Sequence, residues 1–156
     1  MGYRCWAERF VTADFSGSPV HKQGLVLNNA LAIKAIRSRF VLFNNPSFTL
    51  LSLRIYSSIS SDVGTLLLTS TTTWDKSSIS SYAHAAREIY FEFNGEHLTA
   101  GTYYIVPWLT GYTGTAGSHV GWVRAYPDPT YTTGLTLQRR KLSSLPYSFG
   151  LIGDEL

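Results

Sequence analysis

The chain has little of several things. It holds one cysteine and one methionine, and charged residues make up only 15% of its 156 positions. With Cys5 alone, no disulfide can form within the chain and no all-cysteine metal site can be built. A buried, inert thiol is the simplest role for it. Ala, Glu, Lys and Leu do not dominate, which excludes a coiled coil or an all-helical bundle. No apolar run approaches the roughly 18 residues of a membrane span, so no membrane insertion is expected. The opening residues Met1–Phe10 carry Arg4, Glu8 and Arg9 and lack the apolar core of a signal peptide. The expectation is synthesis in the cytoplasm without a signal, with function on a virion surface or outside the cell. An excised domain of a longer secreted chain would read the same way.

The net charge of +3 is mild, and Arg139-Arg140-Lys141 is the one basic run. Nucleic-acid binders carry a denser basic face, so no nucleic acid is expected as partner. The run reads as a solvated turn.

Neutral polar groups fill the gap: 18 Ser, 16 Thr and 10 Tyr. Hydrophobic residues reach 44%, enough for one globular core. β-Branched and aromatic residues suit pleated, half-buried surfaces. Short strand-like runs follow one another along a single domain spanning residues 1–156. Arg4–Val11 opens the series and ends at Ser16-Gly17-Ser18-Pro19. In Ala30–Phe43 a helix over Ala30–Ser38 competes with a strand, and Val41, Phe43 and Asn44-Asn45-Pro46 favour the strand. There Ile36, Ser38, Phe40 and Leu42 share one face, and Arg37 and Arg39 the other. Leu51, Leu53 and Ile55 alternate with Ser52, Arg54 and Tyr56. Thr65–Thr69 follows the turn at Asp62-Val63-Gly64. Ser70–Ser81, around Trp74, reads as a loop, and Ser80–Arg87 as one or two helical turns.

Ile89, Phe91 and Phe93 alternate with Tyr90 and Glu92, and Asn94-Gly95 follows as a turn signal. This predicts a hairpin with Gly101–Leu109, in which Pro107 marks an edge or a bulge. Val120–Ala125, Leu135–Leu137 and Tyr147–Ile152 complete eight to ten strands. The fold class is therefore all-β, an antiparallel two-sheet sandwich or barrel. Leu51, Leu53, Ile55, Phe91, Phe93, Ile105, Trp122 and Phe149 are the expected core.

The segment Leu98-Thr-Ala-Gly-Thr-Tyr-Tyr-Ile-Val106, with Ile89–Phe93 and Leu51–Tyr56 before it, resembles jelly-roll sandwich modules. Such modules occur as carbohydrate-binding domains and in phage tail and adhesin tips. The likeness runs from about Phe40 to Ile152 and implies a jelly-roll fold with a binding or assembly role. It implies no specific residue set.

Catalytic signatures are missing from the sequence. There is no G-x-S-x-G elbow, H-E-x-x-H pair, C-x-x-C pair or phosphate loop. His21, His84, His97 and His119 are scattered, and Asp14, Asp62, Asp75, Asp128 and Asp154 sit at turns, where aspartate caps backbone groups. No enzyme and no cofactor is expected, with a calcium ion held by loop carbonyls and an aspartate or two left open.

One region is dense in aromatics: Trp108, Tyr112, Trp122, Tyr126 and Tyr131, joined by a loop holding Gly111, Gly114 and Gly117. Aromatic rings pack in cores, anchor interfaces and stack on sugar rings. From this stretch Trp108, Tyr112, Arg124 and Tyr126 are the candidate ligand or interface residues, with no catalytic and no metal residue assigned. The function expected is a non-catalytic virion component of a phage tail or capsid surface. Its partners would be copies of itself or other virion proteins, with surface glycans as a further ligand. A carbohydrate-binding module of a secreted enzyme or adhesin is the alternative.

Overall fold

The computed structural model describes residues 7–9, 22–60, 62–79, 88–112, 119–123, 135–138 and 149–155. They form ten strands: β1 (Ala7–Arg9), β2 (Gln23–Leu27), β3 (Leu31–Phe43), β4 (Leu50–Ile59), β5 (Asp62–Thr69), β6 (Glu88–Leu98), β7 (Gly101–Thr110), β8 (His119–Val123), β9 (Leu135–Gln138) and β10 (Phe149–Glu155). A single 3-10 turn, Lys76–Ser78, is the only helical element among the described residues.

The strands make two five-stranded antiparallel sheets, neither closed on itself. One has the order β5-β4-β7-β2-β9. The other is built on β3, which pairs β10 and β6 along its first part and β8 along Phe40–Phe43, with β1 beyond β8. Consecutive strands mostly cross from sheet to sheet. Of the sequential pairs, only β4 and β5 form a hairpin.

Alternation decides what each strand buries. Leu51, Leu53 and Ile55 of β4, Ile105 and Leu109 of β7, and Leu25 and Leu27 of β2 point into one core. They meet Ile33, Ile36, Phe40 and Leu42 of β3, Ile89, Phe91 and Phe93 of β6, Trp122 of β8 and Leu151 of β10. Every expected core residue whose side chain is described is buried. Phe149 opens β10, and its side chain lies outside the described set. β3 is strand from Leu31 onward, so the helical alternative over Ala30–Ser38 does not form.

The hairpin expected at Asn94-Gly95 is not there. β6 runs through both residues to Leu98 and pairs with β3, whereas β7 lies in the other sheet between β4 and β2. The pairing passes from Ala35↔Glu92 to Ile33↔Glu96, so three residues of β6 face Lys34 alone. Gly95 sits there at φ 71, and the turn-forming dipeptide is used as a bulge. Continuing past it lets β6 pair as far as Leu31↔Leu98 and bury Leu98. The crossing to β7 falls at Thr99-Ala100, where the buried Tyr103 hydroxyl donates to the Thr99 carbonyl at 2.8 Å. Pro107 lies two residues beyond Ile105, the last residue of β7 paired with β2. β7 has only β4 beside it at that point among the described strands, which is where a residue lacking an N–H is tolerated.

The Ser/Thr-rich segment after β5 ties the two sheets together. Leu51 and Trp74 exchange backbone hydrogen bonds of 2.7 and 2.9 Å. Ser70 N–H donates to the Leu53 carbonyl, and Leu53 N–H donates to Ser70 Oγ. On the other side, Thr71 N–H donates to the Glu92 carbonyl, Glu92 N–H to Thr72 Oγ1, and Trp74 Nε1 to the Tyr90 carbonyl at 2.8 Å. The segment thus covers backbone groups of β6 that an edge strand would leave open. Its far end is held by Asp75, whose Oδ1 accepts from Ser77 Oγ at 2.6 Å and Ser78 Oγ at 3.2 Å.

The Ser77 contact foremost, with help from Ser78, holds the Asp75 carboxyl below its ordinary value of 3.8, against an opposing desolvation second in size to the Ser77 contact. A lowered carboxyl pKa stabilises the fold above the unfolded value and is lost as pH falls through the folded one. The Trp74 indole proton is therefore expected to exchange faster once pH drops below 3.8. In Asp75→Asn the acid-induced change should vanish. An unchanged Asp75→Asn titration would show that other carboxyls govern the segment.

Candidate binding face on β4 and β7

The outward alternation of β4 and β7 carries the chemistry. Ser52, Arg54 and Tyr56 face away from the core, opposite Trp108, Val106 and Tyr104 respectively. Tyr56, Tyr104 and Val106 form a second small buried cluster there, joined by Val63. Across β7, Gly24 of β2 stands opposite Tyr104 and adds no side chain.

Two cations lie on aromatic rings of this face. The Arg54 guanidinium carbon sits 3.7 Å from the centroid of the Trp108 ring, and Lys22 Nζ is 4.6 Å from that of Tyr104. Such contacts contribute about 0.5–1 kcal/mol at exposed sites and more when desolvated. Arg54 Nη1 also reaches the Tyr56 hydroxyl, at a long 3.5 Å. Arg54 Nε is out of contact with solvent and has no hydrogen-bond partner.

The other described arginines are placed differently. Arg37 and Arg39, on the opposite sheet, both approach Glu88, at 3.6 and 3.7 Å. Arg54 is the one described arginine side chain without a carboxylate beside it.

Of the four candidate residues, Trp108 belongs to this face. Tyr112 follows β7 after Gly111, whose φ of 61 turns the chain. It packs against the main core, with its hydroxyl buried and unpartnered. Trp108 and Tyr112 therefore occupy different surroundings. Arg124, Tyr126 and the loop 113–118 lie outside the described residues, as do Cys5, Ser80–Arg87, Tyr131 and Arg139–Lys141. Trp122 is a core residue, fully buried.

Arg54 and Tyr56 were not singled out by sequence, although their alternation with Leu51, Leu53 and Ile55 places them outward. What was missing was the pairing of β4 with β7, which sets Arg54 beside Trp108. Among the described residues, no three His, Cys, Asp or Glu side chains gather as a metal site would require. No described helix is long and apolar enough to cross a membrane. Compared with known proteins, the chain has no significant match to a family model, a curated protein or a solved structure.

Proposed function

We propose that the protein is a non-catalytic jelly-roll subunit of a virus particle, of the phage tail or capsid-surface kind, that serves assembly or host attachment. The observation that carries this reading is the order in which strands pair. β4 pairs β5, β3 pairs β6, β2 pairs β7 and β1 pairs β8. These are the successive rungs of one long two-stranded ribbon. Its turns then meet through β4–β7 and β3–β8. This pairing order supports reading the two sheets as a jelly roll, the two-Greek-key architecture used by viral capsid and lectin domains. By analogy with those domains, the architecture points to assembly or attachment. The surface supports it further: Ile59, Leu66 and Leu67 on the β4–β5 hairpin are 59%, 41% and 43% exposed. With few charges to oppose contact, such side chains favour association with copies of the chain or with other particle proteins.

The test is solution mass by light scattering across concentration. A defined oligomer is expected, and Leu67→Glu should dissociate it while moving the melting temperature little. A chain that stays monomeric at high concentration and is missing from purified particles would overturn the reading. The alternative, a carbohydrate-binding module, is favoured by one specific feature, the Arg54–Trp108 stack beside the Tyr56 hydroxyl.

A further inference from the structure

We infer that the outer face of β3 and β6 is a two-fold contact between two copies of this chain. This deepens the assembly part of the proposed function and rests on it. Alternation sends Ile36 and Ser38 of β3 and Ile89, Phe91 and Phe93 of β6 inward, where all are buried. Arg37 and Arg39, with Glu88, Tyr90 and Glu92, therefore point outward. The register sets them in three rungs: Arg39 opposite Glu88, Arg37 opposite Tyr90 and Ala35 opposite Glu92. The face is open. Tyr90 is 46% exposed, the Arg37 and Arg39 side chains are 40% and 44% exposed, and Glu92 is exposed too. On the far side of β3, Gly150 of β10 stands opposite Arg37 and adds no side chain, which keeps the face flat enough for another sheet.

The polar groups of this face are only partly used. Both guanidinium groups lean on the one Glu88 carboxylate, at 3.6 and 3.7 Å, longer than a hydrogen bond. Their N–H donors stay open to a second acceptor. The Glu92 carboxylate has no cation within ion-pair reach among the described residues. The make-up of the rungs names the occupant. A two-fold axis running along the strands, midway between β3 and β6, lays β6 of each copy over β3 of the other at the same level. Every rung then meets its own reverse. Each Arg39 faces a Glu88, each Arg37 a Tyr90 ring and each small Ala35 a Glu92, and the symmetry makes every contact twice. A guanidinium over a phenol ring is itself attractive. Arg37 and Arg39 balance Glu88 and Glu92 within each copy, so two such faces meet without net repulsion. A partner carrying charge of one sign would satisfy only half of these groups.

The experiment measures solution mass by light scattering on the full chain carrying Leu67→Glu, which removes the hairpin contact on the other sheet. That chain is expected to form pairs. Adding either Arg39→Glu or Glu88→Arg sets like charges across the axis and should weaken pairing by about tenfold or more. Both substitutions are at the surface, and each chain should melt within a few degrees of its parent. Mixing the two charge variants should bring pairing back to nearly the parent's affinity. In the mixed pair every position across the axis again faces the opposite charge, while the Arg39–Glu88 contact within each chain stays broken. Recovery on mixing therefore reports the contact between copies and not the one within a chain. Charge variants that pair as tightly as their parent, or that stay monomeric when mixed, would overturn the inference. The failures are separable: a chain that oligomerises without Leu67→Glu but is wholly monomeric with it sinks this face alone and leaves the assembly reading standing.

Discussion

Replacing Trp122 with alanine is expected to cost about 3–5 kcal/mol of folding stability, the range for emptying a large aromatic site in a core. The residue is fully buried on β8. Its ring stacks on Phe40, centroids 6.0 Å apart and planes 11° from parallel. Phe40 in turn meets Phe91 edge to face at 5.9 Å. The three rings link β8, β3 and β6, so a hole at Trp122 loosens three strands at once. The indole also makes a buried polar contact, Nε1 donating to Ser38 Oγ at 2.8 Å. Since a domain's whole stability is about 5–15 kcal/mol, the alanine variant stands close to unfolding. Ser38→Ala is the gentler probe. It leaves the rings in place and removes the acceptor, for an expected loss of about 1–3 kcal/mol. Urea unfolding of both variants and of the double variant measures the coupling. The losses should fall short of additive, because removing Trp122 also removes the donor that Ser38 satisfies. A loss under about 1 kcal/mol for Trp122→Ala would contradict the packing described.

The second large effect is expected from the smallest change. Gly153→Ala should destabilise the fold by about 1–3 kcal/mol through overpacking. A Cβ on Gly153 would stand 2.5 Å from the Ala32 carbonyl oxygen and 3.1 Å from the end of Leu31. The nearest atom is backbone of β3, and Ala32 is paired both to Asp154 of β10 and to His97 of β6. It cannot retreat without disturbing a ladder. The register shift between Ile152 and Gly153 marks the same spot. Gly64→Ala is the control. There the new atom meets side chains only, Ser57 Oγ at 2.5 Å and Ile59 Cγ1 at 2.8 Å, on a hairpin where Ile59 is exposed and can swing away. Thermal melts of the two variants should separate clearly, with Gly153→Ala the lower. Equal melting temperatures would mean that β10 shifts freely along β3.

The strand character of this chain and the inward side of most strands were readable from residues alone. Period-two alternation is a local property, so Leu51, Leu53 and Ile55 announce their common face whatever β4 pairs with. The same holds for Phe91 and Phe93, and for the composition that ruled out helical bundles. Pairing is different. Asn94-Gly95 carries a local preference worth little beside the pairing of Leu31–Ile33 with Glu96–Leu98, which only the assembled sheet provides. A turn signal therefore became a bulge. Likewise, the nearness of Trp108 and Tyr112 in sequence suggested one surface, but strand parity and the turn at Gly111 send one to the outer face and the other to the core. Arg54 and Trp108 lie far apart in the chain, and no local rule connects them. Their contact exists because β4 and β7 are neighbours in register Ser52↔Trp108 and Arg54↔Val106. Sequence determined which residues each strand could offer outward or inward, since that depends on backbone geometry alone. The tertiary structure decided which offers meet, since strand neighbours are chosen by the burial of the whole core.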